Sequence, residues 1–239
     1  MHLSEMTWKE VESELVECKS VILPCGSTEE HGYHLPLSTD ALIAEELAKR
    51  VARGRKIFVA PTVNYGVCRS TAPFSGTLTL KFSTMNALVE DICESLYRHG
   101  FRNIIILPGH LGSAQVAALE IAAQTLLKKF ENLNMAIVII PALLAGLENV
   151  IEDREDKHAG EVETSIMLVL RDELVKPDKA VCEHPDFPEG IIARNSLDYM
   201  TSGVMGDATL ATHSKGEIII NRLVDKISGV IDQVEERQG

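Results

Sequence analysis

The sequence predicts an α/β fold: a three-layer α/β/α sandwich with a mainly parallel sheet. Along the 239 residues, short apolar segments rich in β-branched side chains alternate with longer segments of helical periodicity. Continuous apolar character is typical of strands that are covered on both faces. The order strand–helix–strand favours right-handed crossovers between parallel strands. Since no repeat or linker-like stretch interrupts this pattern, we expect one domain over residues 1–239.

The predicted helices are segments in which apolar residues recur at three- and four-residue spacing. In one of them the apolar stripe starts at Met85 and ends at Leu96, and Gly100 supplies a stop. We predict strands at 20–25, 56–60, 103–107 and 135–140, and helices from Thr39, from Ser83, from Ser113, from the segment 157–165 and over 220–234.

Composition and charge exclude several classes of protein. The net charge of −12 and the absence of a basic run argue against a nucleic-acid surface. No apolar stretch reaches the ~18 residues that a membrane span needs, and the charged N-terminal segment does not resemble a signal peptide. The five cysteines are scattered without a CxxC pair, which fits a reducing cytoplasm. We therefore expect a cytoplasmic protein that binds neither nucleic acid nor membrane.

Two long connections do not fit the short loops that usually join strands and helices. Residues 61–82 and 173–212 are rich in proline and glycine yet keep apolar and aromatic side chains. Long connections of this kind usually cover a site or contact a neighbouring subunit. Cys25 and Cys68 lie close to the loops that we expect at the site and could touch substrate, although most lone cysteines are small core residues.

Metal-capable side chains follow two of the predicted strands. Residues 26–40 (GSTEEHGYHLPLSTD) follow the first strand, and in extended backbone Glu29 and His31 point the same way. Asp40 lies at a predicted helix start, and His110 follows the third strand. Ligands of open α/β sheets bind outside the carboxyl ends of the strands. A Glu, an Asp and two His residues at that edge form a mixed donor set that suits Zn²⁺, Mn²⁺ or Fe²⁺.

A third cluster lies in residues 157–165 (KHAGEVETS), which open a predicted helix. His158 and Glu161 are three residues apart, as are Gly160 and Glu163, so helical geometry could direct an acid and a histidine at one cavity. Together with the metal-capable residues, this cluster favours a metal-dependent hydrolase.

Each candidate also has a simpler structural interpretation. Asp40 could only favour the helix dipole, as could Glu161 and Glu163 in a first helical turn. His31 and His110 could be turn residues that hydrogen-bond to the backbone. The competing class is a non-catalytic α/β protein that binds a metabolite. Nucleotide binding is disfavoured because no GxGxxG follows the first strand and no GxxxxGK[ST] occurs in the chain.

These same segments resemble the motifs of the creatininase (creatinine amidohydrolase) family. Residues 26–40 look like its opening motif, residues 108–112 (PGHLG) resemble its second motif, usually written NGHGGN, and residues 158–165 resemble its HAGExETS segment. Residues 203–216 are similar to its glycine-punctuated C-terminal motif. The likeness spans nearly the whole chain, and the motif order agrees throughout.

The resemblance implies a homo-oligomer, often a hexamer, with a hydrolytic centre of one or two divalent metal ions (Zn, Mn or Fe). Glu29, Asp40 and His110 would hold one ion. His31 would hold the other, with Asp40 as the bridge. Glu161 would be the remaining metal-binding carboxylate.

The resemblance also implies roles in catalysis. His158 matches the histidine that is assigned acid–base work in creatininase itself. Glu161 or Glu163 would shuttle a proton, and His34 would orient a ligand. The expected reaction is hydrolysis of an amide C–N bond of a small molecule, either a cyclic amide or a formamide, by a metal-activated water.

Departures from the family pattern bear on the substrate. Pro108 and Ser113 stand where asparagine is usual, and Gly112 stands where creatininase proper has a metal-binding glutamate. The chain's single tryptophan is Trp8, so creatinine-clamping tryptophans are not expected and creatinine is not the favoured substrate. The alternatives, taken from other branches of the family, are deformylation of a formylaminopyrimidine nucleotide, cleavage of a modified peptide and ring opening of an oxidised inositol.

Overall fold

The computed structural model describes residues 1–237, and its central feature is a four-stranded parallel sheet. The strands are β1 (Ser20–Cys25), β2 (Phe58–Val59), β3 (Asn103–Pro108) and β4 (Asn134–Ile137). The helices are α1 (Trp8–Glu14), α2 (Thr39–Gly54), α3 (Phe82–Arg98), α4 (Ser113–Lys129), α5 (Ile140–Leu143), α6 (Glu161–Leu170) and α7 (His213–Glu236). Short 3₁₀ turns lie at Leu3–Glu5, Asp172–Leu174, Pro177–Lys179, Ser196–Asp198 and Ala208–Leu210.

The strand order is β2-β1-β3-β4, and β1 and β3 pair in parallel along their whole length, from Ser20 opposite Asn103 to Cys25 opposite Pro108. Their carboxyl ends therefore reach the same edge of the sheet side by side. The two segments with metal-capable residues leave the sheet at this edge.

Alternate strand residues face two separate cores, as expected for a sheet that is covered on both sides. Ile22 and Ile105 pack with the helices α2, α6 and α7, whereas Val21 and Ile104 pack with α3 and α4. All four side chains are fully buried. The predicted three-layer α/β/α fold with a parallel sheet is thereby confirmed.

The predicted fourth strand is partly wrong. β4 ends at Ile137 rather than at residue 140, although the amide of Val138 still donates to the carbonyl of Ile106 (3.0 Å). α5 then begins at Ile140, because Pro141 in its first turn favours helical backbone angles and lacks the amide that another strand hydrogen bond would need. The predicted second strand, 56–60, is shortened to β2.

Both long connections run across the edge where the strands end. In residues 61–82, the carbonyl of Val63 accepts a hydrogen bond from the amide of Gly26, and the amide of Leu78 donates to the carbonyl of Thr28. Residues 173–212 contain a strand, β5 (Cys182–Glu183), that pairs antiparallel with β6 (Gly206–Asp207). Among residues 1–237, no helix combines the length and the apolar character that crossing a bilayer requires.

The first turn of α2 lies against the ends of β1 and β3 at two glycines. A Cβ on Gly26 would lie 2.3 Å from the Cα of Ala41, and a Cβ on Gly109 would lie 2.1 Å from the carbonyl oxygen of Asp40. Real Cβ atoms do not approach backbone this closely, so only glycine permits this packing. Asp40 is thus held between the two strand ends.

We expect Gly109→Ala to destabilise the fold by on the order of 1–3 kcal/mol, because the added methyl group would force the start of α2 away from the sheet. Denaturant unfolding followed by circular dichroism would measure this change. Gly229→Ala is the matched control, because a Cβ at Gly229 in α7 meets nothing within 4 Å. That variant should gain roughly 0.5–1 kcal/mol from better helix propensity. Equal stability of the two variants would contradict this account of the packing.

Candidate metal centre

Asp40 lies between two imidazoles at the carboxyl edge of the sheet. Its Oδ1 is 3.0 Å from Nε2 of His31, and its Oδ2 is 3.3 Å from Nδ1 of His110. The hydroxyl of Ser27 also donates to Oδ2 (2.7 Å). All four residues are buried. One carboxylate therefore faces a ring nitrogen on each side.

Backbone carbonyls determine which nitrogen of each imidazole carries the proton. Nδ1 of His31 lies 3.1 Å from the carbonyl oxygen of Glu29, and Nε2 of His110 lies 3.1 Å from that of Val67. Because a carbonyl oxygen can only accept, both of these nitrogens donate. In the neutral rings, the nitrogens that face Asp40 are then left with lone pairs, which is the form that binds metals.

Two more carboxylates complete the cluster. Oε1 of Glu29 lies 2.5 Å from Nδ1 of His110, and its Oε2 accepts from the hydroxyl of Thr71. Oε2 of Glu163 lies 3.8 Å from Nε2 of His31 and accepts from the amide of Ala159 (2.6 Å). The ligand atoms of His31, Asp40 and Glu163 all lie within 4.8 Å of one another, as do those of Glu29, His110 and Cys68.

The electrostatics of the cluster favour positive charge at the ring nitrogens. Burial opposes protonation of His31, yet the carboxylate of Asp40 outweighs it and raises the pKa of this imidazole to about 10. Burial also opposes protonation of His110, but Asp40 and Glu29 hold its pKa well above the ordinary value. Burial would raise the pKa of Asp40, and the two imidazoles lower it well below its usual range instead. Protons or divalent cations can supply this positive charge, so the donor set fits metal ions.

His158 lies beside His31, with the two ring centroids 4.4 Å apart. Its Nε2 donates to the carbonyl of Glu30 (3.0 Å). The next residue, Ala159, has a φ of 52°, which is unusual for a residue other than glycine. This turn lies between α6 and the β-bridge that His158 makes with Met205. The bridge and the hydrogen bond to Glu30 thus hold His158 beside the cluster.

Glu161 was expected to bind metal or shuttle a proton, and the structure gives its carboxylate other partners. Oε2 accepts from the amides of Glu152 (2.9 Å) and Asp153 (2.8 Å), and Oε1 pairs with the ammonium group of Lys215. Among residues 1–237, no group of mutually close ligand atoms includes Glu161. The expectation for Glu161 is corrected: one helical turn holds two acids, and Glu163 rather than Glu161 joins His31 and Asp40.

The structure brings together the other predicted residues: Glu29, His31, Asp40, His110, His158 and Glu163. Sequence reasoning missed Ser27 and Thr71, whose hydroxyls orient the carboxylates. Thr71 lies 42 residues from Glu29, and no spacing rule links the two. His34 is buried, and its Nε2 hydrogen-bonds to Thr164 on α6 (2.8 Å), one residue after Glu163.

A cavity of about 470 Å³ opens beside the cluster. Glu29, Asp40, His110, His158 and Glu163 line it. Its lining also includes apolar side chains from the turn after β3, from α5 and the residue that follows it, and from α6: Leu111, Ile140, Pro141, Leu144, Val162 and Ile166. Trp8 is 69% exposed and is not among the lining residues.

Comparisons with known proteins agree with this geometry. The family model described as creatinine amidohydrolase matches residues 4–231. The chain is 29% identical to creatinine amidohydrolase of Pseudomonas putida over 98% of this chain and 96% of that protein. It is 30% identical to the mycofactocin precursor peptide peptidase of Mycolicibacterium smegmatis over 91% of this chain and 85% of that protein.

Solved creatininase structures share the fold. A manganese creatininase matches with a TM-score of 0.86 at 26% identity, and a mutant creatininase of the zinc–zinc type matches with a TM-score of 0.86 at 27% identity. Each match covers 97% of this chain and 97% of the solved chain. With the family match over nearly its whole length, this chain belongs to the creatininase family and is a hydrolase of that family.

Proposed function

We propose that this protein hydrolyses an amide C–N bond of a small molecule with one or two divalent metal ions. The proposed ligands are Glu29, His31, Asp40, His110 and Glu163. The observation that carries this proposal is the position of Asp40, whose two oxygens each face a ring nitrogen of a different histidine. Each ring donates its other nitrogen to a backbone carbonyl, so the nitrogen that faces Asp40 can bind a metal ion once its proton is displaced. The zinc and manganese forms of the related creatininases also support it.

Ions in this position would lower the pKa of a bound water and polarise the substrate carbonyl. His158 is proposed as the acid that protonates the departing nitrogen. Burial and the neighbouring His31 oppose its protonation, but the contacts with Glu30 and the charges of Glu163 and Glu29 outweigh them and raise the pKa of His158. The raised pKa favours the protonated ring, which can then donate its proton.

Glu163 is proposed to take the proton from the attacking water as well as to bind an ion, in place of Glu161. Burial raises the pKa of Glu163 above the ordinary value for a glutamate. A carboxylate with a raised pKa is a better proton acceptor near neutral pH. Its charge also acts on His158, and both side chains line the cavity.

The cavity supports a substrate with an apolar part. The apolar lining from Ile140, Leu144 and Ile166 would contact an aliphatic or aromatic group of the substrate. The nucleotide and inositol alternatives stay predictions. A homo-oligomer, including a hexamer, and a cytoplasmic location stay predictions.

Chelation tests the proposed function. Removal of the metal should abolish hydrolysis of amides and formamides, and Zn²⁺, Mn²⁺ or Fe²⁺, added separately, should restore it. His31→Ala should lower kcat/KM by at least about 100-fold, since it removes a ligand rather than a residue that merely orients one. The control is His99→Ala, which changes an exposed histidine at the end of α3. Hydrolysis that survives both chelation and His31→Ala would overturn the mechanism.

Metal binding should depend on pH. The pKa of His31 is raised to about 10, so below that pH an ion must displace a proton from the ring. We expect the Kd for zinc to rise by about tenfold per pH unit, for each proton released, as the pH falls from 8 to 6. Calorimetry in buffers of different ionisation enthalpy would count these protons, and His31→Ala should release fewer. Zinc binding without proton release in this range would contradict the ligand assignment.

A pair of neighbouring variants tests the choice between the two acids of α6. Glu163→Gln should lower the metal content and kcat/KM, because it removes a charged ligand. Glu161→Gln should keep the metal and cost on the order of 1–3 kcal/mol of stability, because its charge-assisted bonds to Lys215 and to two backbone amides are weakened. Elemental analysis and thermal unfolding of both proteins measure these effects. If Glu161→Gln lost the metal and Glu163→Gln kept it, Glu161 and not Glu163 would be the ligand.

A further inference from the structure

One ligand group of the proposed centre has a carboxylate oxygen without a donor. Oε1 of Glu29 is buried, and it has no aligned hydrogen-bond donor in the described part of the chain. It lies 2.5 Å from Nδ1 of His110, whose other nitrogen donates to the carbonyl of Val67. A carboxylate oxygen and a ring nitrogen this close in a buried site need a proton or a metal cation between them.

The chain lacks the acid that the resemblance to creatininase proper implies for this side of the centre. Gly112 occupies that position, and a Cβ there would lie 2.7 Å from Nε2 of His110. The position therefore cannot take a larger residue without moving the histidine. Any additional ligand on this side must come from another segment.

The thiol of Cys68 lies where such a ligand would be needed. Cys68 is fully buried, and its sulfur, an oxygen of Glu29 and a ring nitrogen of His110 lie within 4.8 Å of one another. Burial and the nearby carboxylates of Glu29 and Asp40 raise the pKa of the Cys68 thiol, so the thiol keeps its proton until a metal cation replaces it. A buried thiol among carboxylates and an imidazole is surrounded by metal ligands rather than by apolar side chains.

The backbone on both sides of the thiol is fixed in place. The amide of Cys68 donates to the hydroxyl of Thr79 (2.9 Å), and the amide of Val67 donates to the side-chain oxygen of Gln115 (3.0 Å). The carbonyl of Val67 accepts from His110. The carbonyl of Val67, which fixes the tautomer of His110, thus belongs to the peptide group that precedes Cys68. The histidine and the thiol are therefore positioned by the same stretch of backbone.

The other cysteines do not share this environment. The thiols of Cys18 and Cys25 donate to backbone carbonyls, and Cys93 lies in the apolar core on α3. Cys182 is exposed. The ordinary interpretation of a buried cysteine as a small core residue fits Cys93 and fails for Cys68.

We propose that Cys68 is a thiolate ligand of the ion that Glu29, Asp40 and His110 hold, and that it supplies the donor that Gly112 does not. The inference rests on the proposed function. As the sulfur–metal bond forms, the thiol proton is released to solvent. With Cys68, this group would offer four donors, which is the usual number of ligands of a zinc ion. A thiolate also favours Zn²⁺ over the harder Mn²⁺.

Cobalt spectroscopy tests the proposal without reference to activity. The protein loaded with Co²⁺ should show a near-ultraviolet sulfur-to-cobalt charge-transfer band, which Cys68→Ala should lack. Cys93→Ala is the matched control, since it removes a buried thiol remote from the cluster, and it should keep the band. Zinc affinity of Cys68→Ala should fall at least about tenfold, with a much smaller change for Mn²⁺.

Cys68→Ser and the wild-type protein keep the test decisive if Cys68→Ala does not fold. X-ray absorption of the zinc-loaded wild type should show sulfur at about 2.3 Å, and Cys68→Ser should not. Stoichiometric metal without a sulfur signal would overturn the role of Cys68 and leave the proposed function standing. A band that persists in Cys68→Ala would also overturn it. A protein that binds no divalent metal would overturn both.

Discussion

The contact on which the candidate site depends is the close approach of α2 to the ends of β1 and β3. Gly26 and Gly109 let the backbone of the helix's first turn rest directly on both strand ends. Asp40 belongs to that turn, so its carboxylate lies between the chain segments that follow the two strands. If side chains larger than hydrogen separated α2 from the two strand ends, the carboxylate could not approach both of them. The bridging position of Asp40 is thus a consequence of backbone packing.

The imidazoles owe their orientation to the same edge of the sheet. His31 and His110 each donate to a carbonyl of a segment that crosses this edge, and each then presents its other nitrogen to Asp40. With several carboxylates close by and little solvent, the site favours positive charge strongly enough to raise the pKa of both rings. The same electrostatic arrangement would favour a bound metal ion and, without one, a proton on each ring.

The two ends of the centre differ in their donors. Glu29, His110 and Glu163 line the cavity, and Glu29 and His110 also lie beside Cys68. If the thiol binds an ion, the position held by Glu29 and His110 would have a sulfur donor that the group of His31, Asp40 and Glu163 lacks, and this donor would favour zinc there.

How far the sequence determines this protein can be judged from particular residues. The apolar runs and helical stripes determined the layered fold, because periodicity reports directly which faces are buried. They also predicted that Glu29, His31, Asp40 and His110 lie at one edge of the sheet, because parallel strands end together. The end of β4 was misjudged, since Val138 and Ile139 read as strand until Pro141 imposes a helical turn.

Tertiary structure alone decided the finer assignments. Glu161 and Glu163 are equivalent in the sequence, and only the position of Lys215 on α7 shows that Glu161 is already neutralised. Thr71 and Cys68 come from a connection whose path no local pattern encodes. Spacing along the chain determines which side chains are neighbours within one helix or strand. Which side chains meet across different elements depends on the path of the backbone between them, and that path is fixed by tertiary contacts.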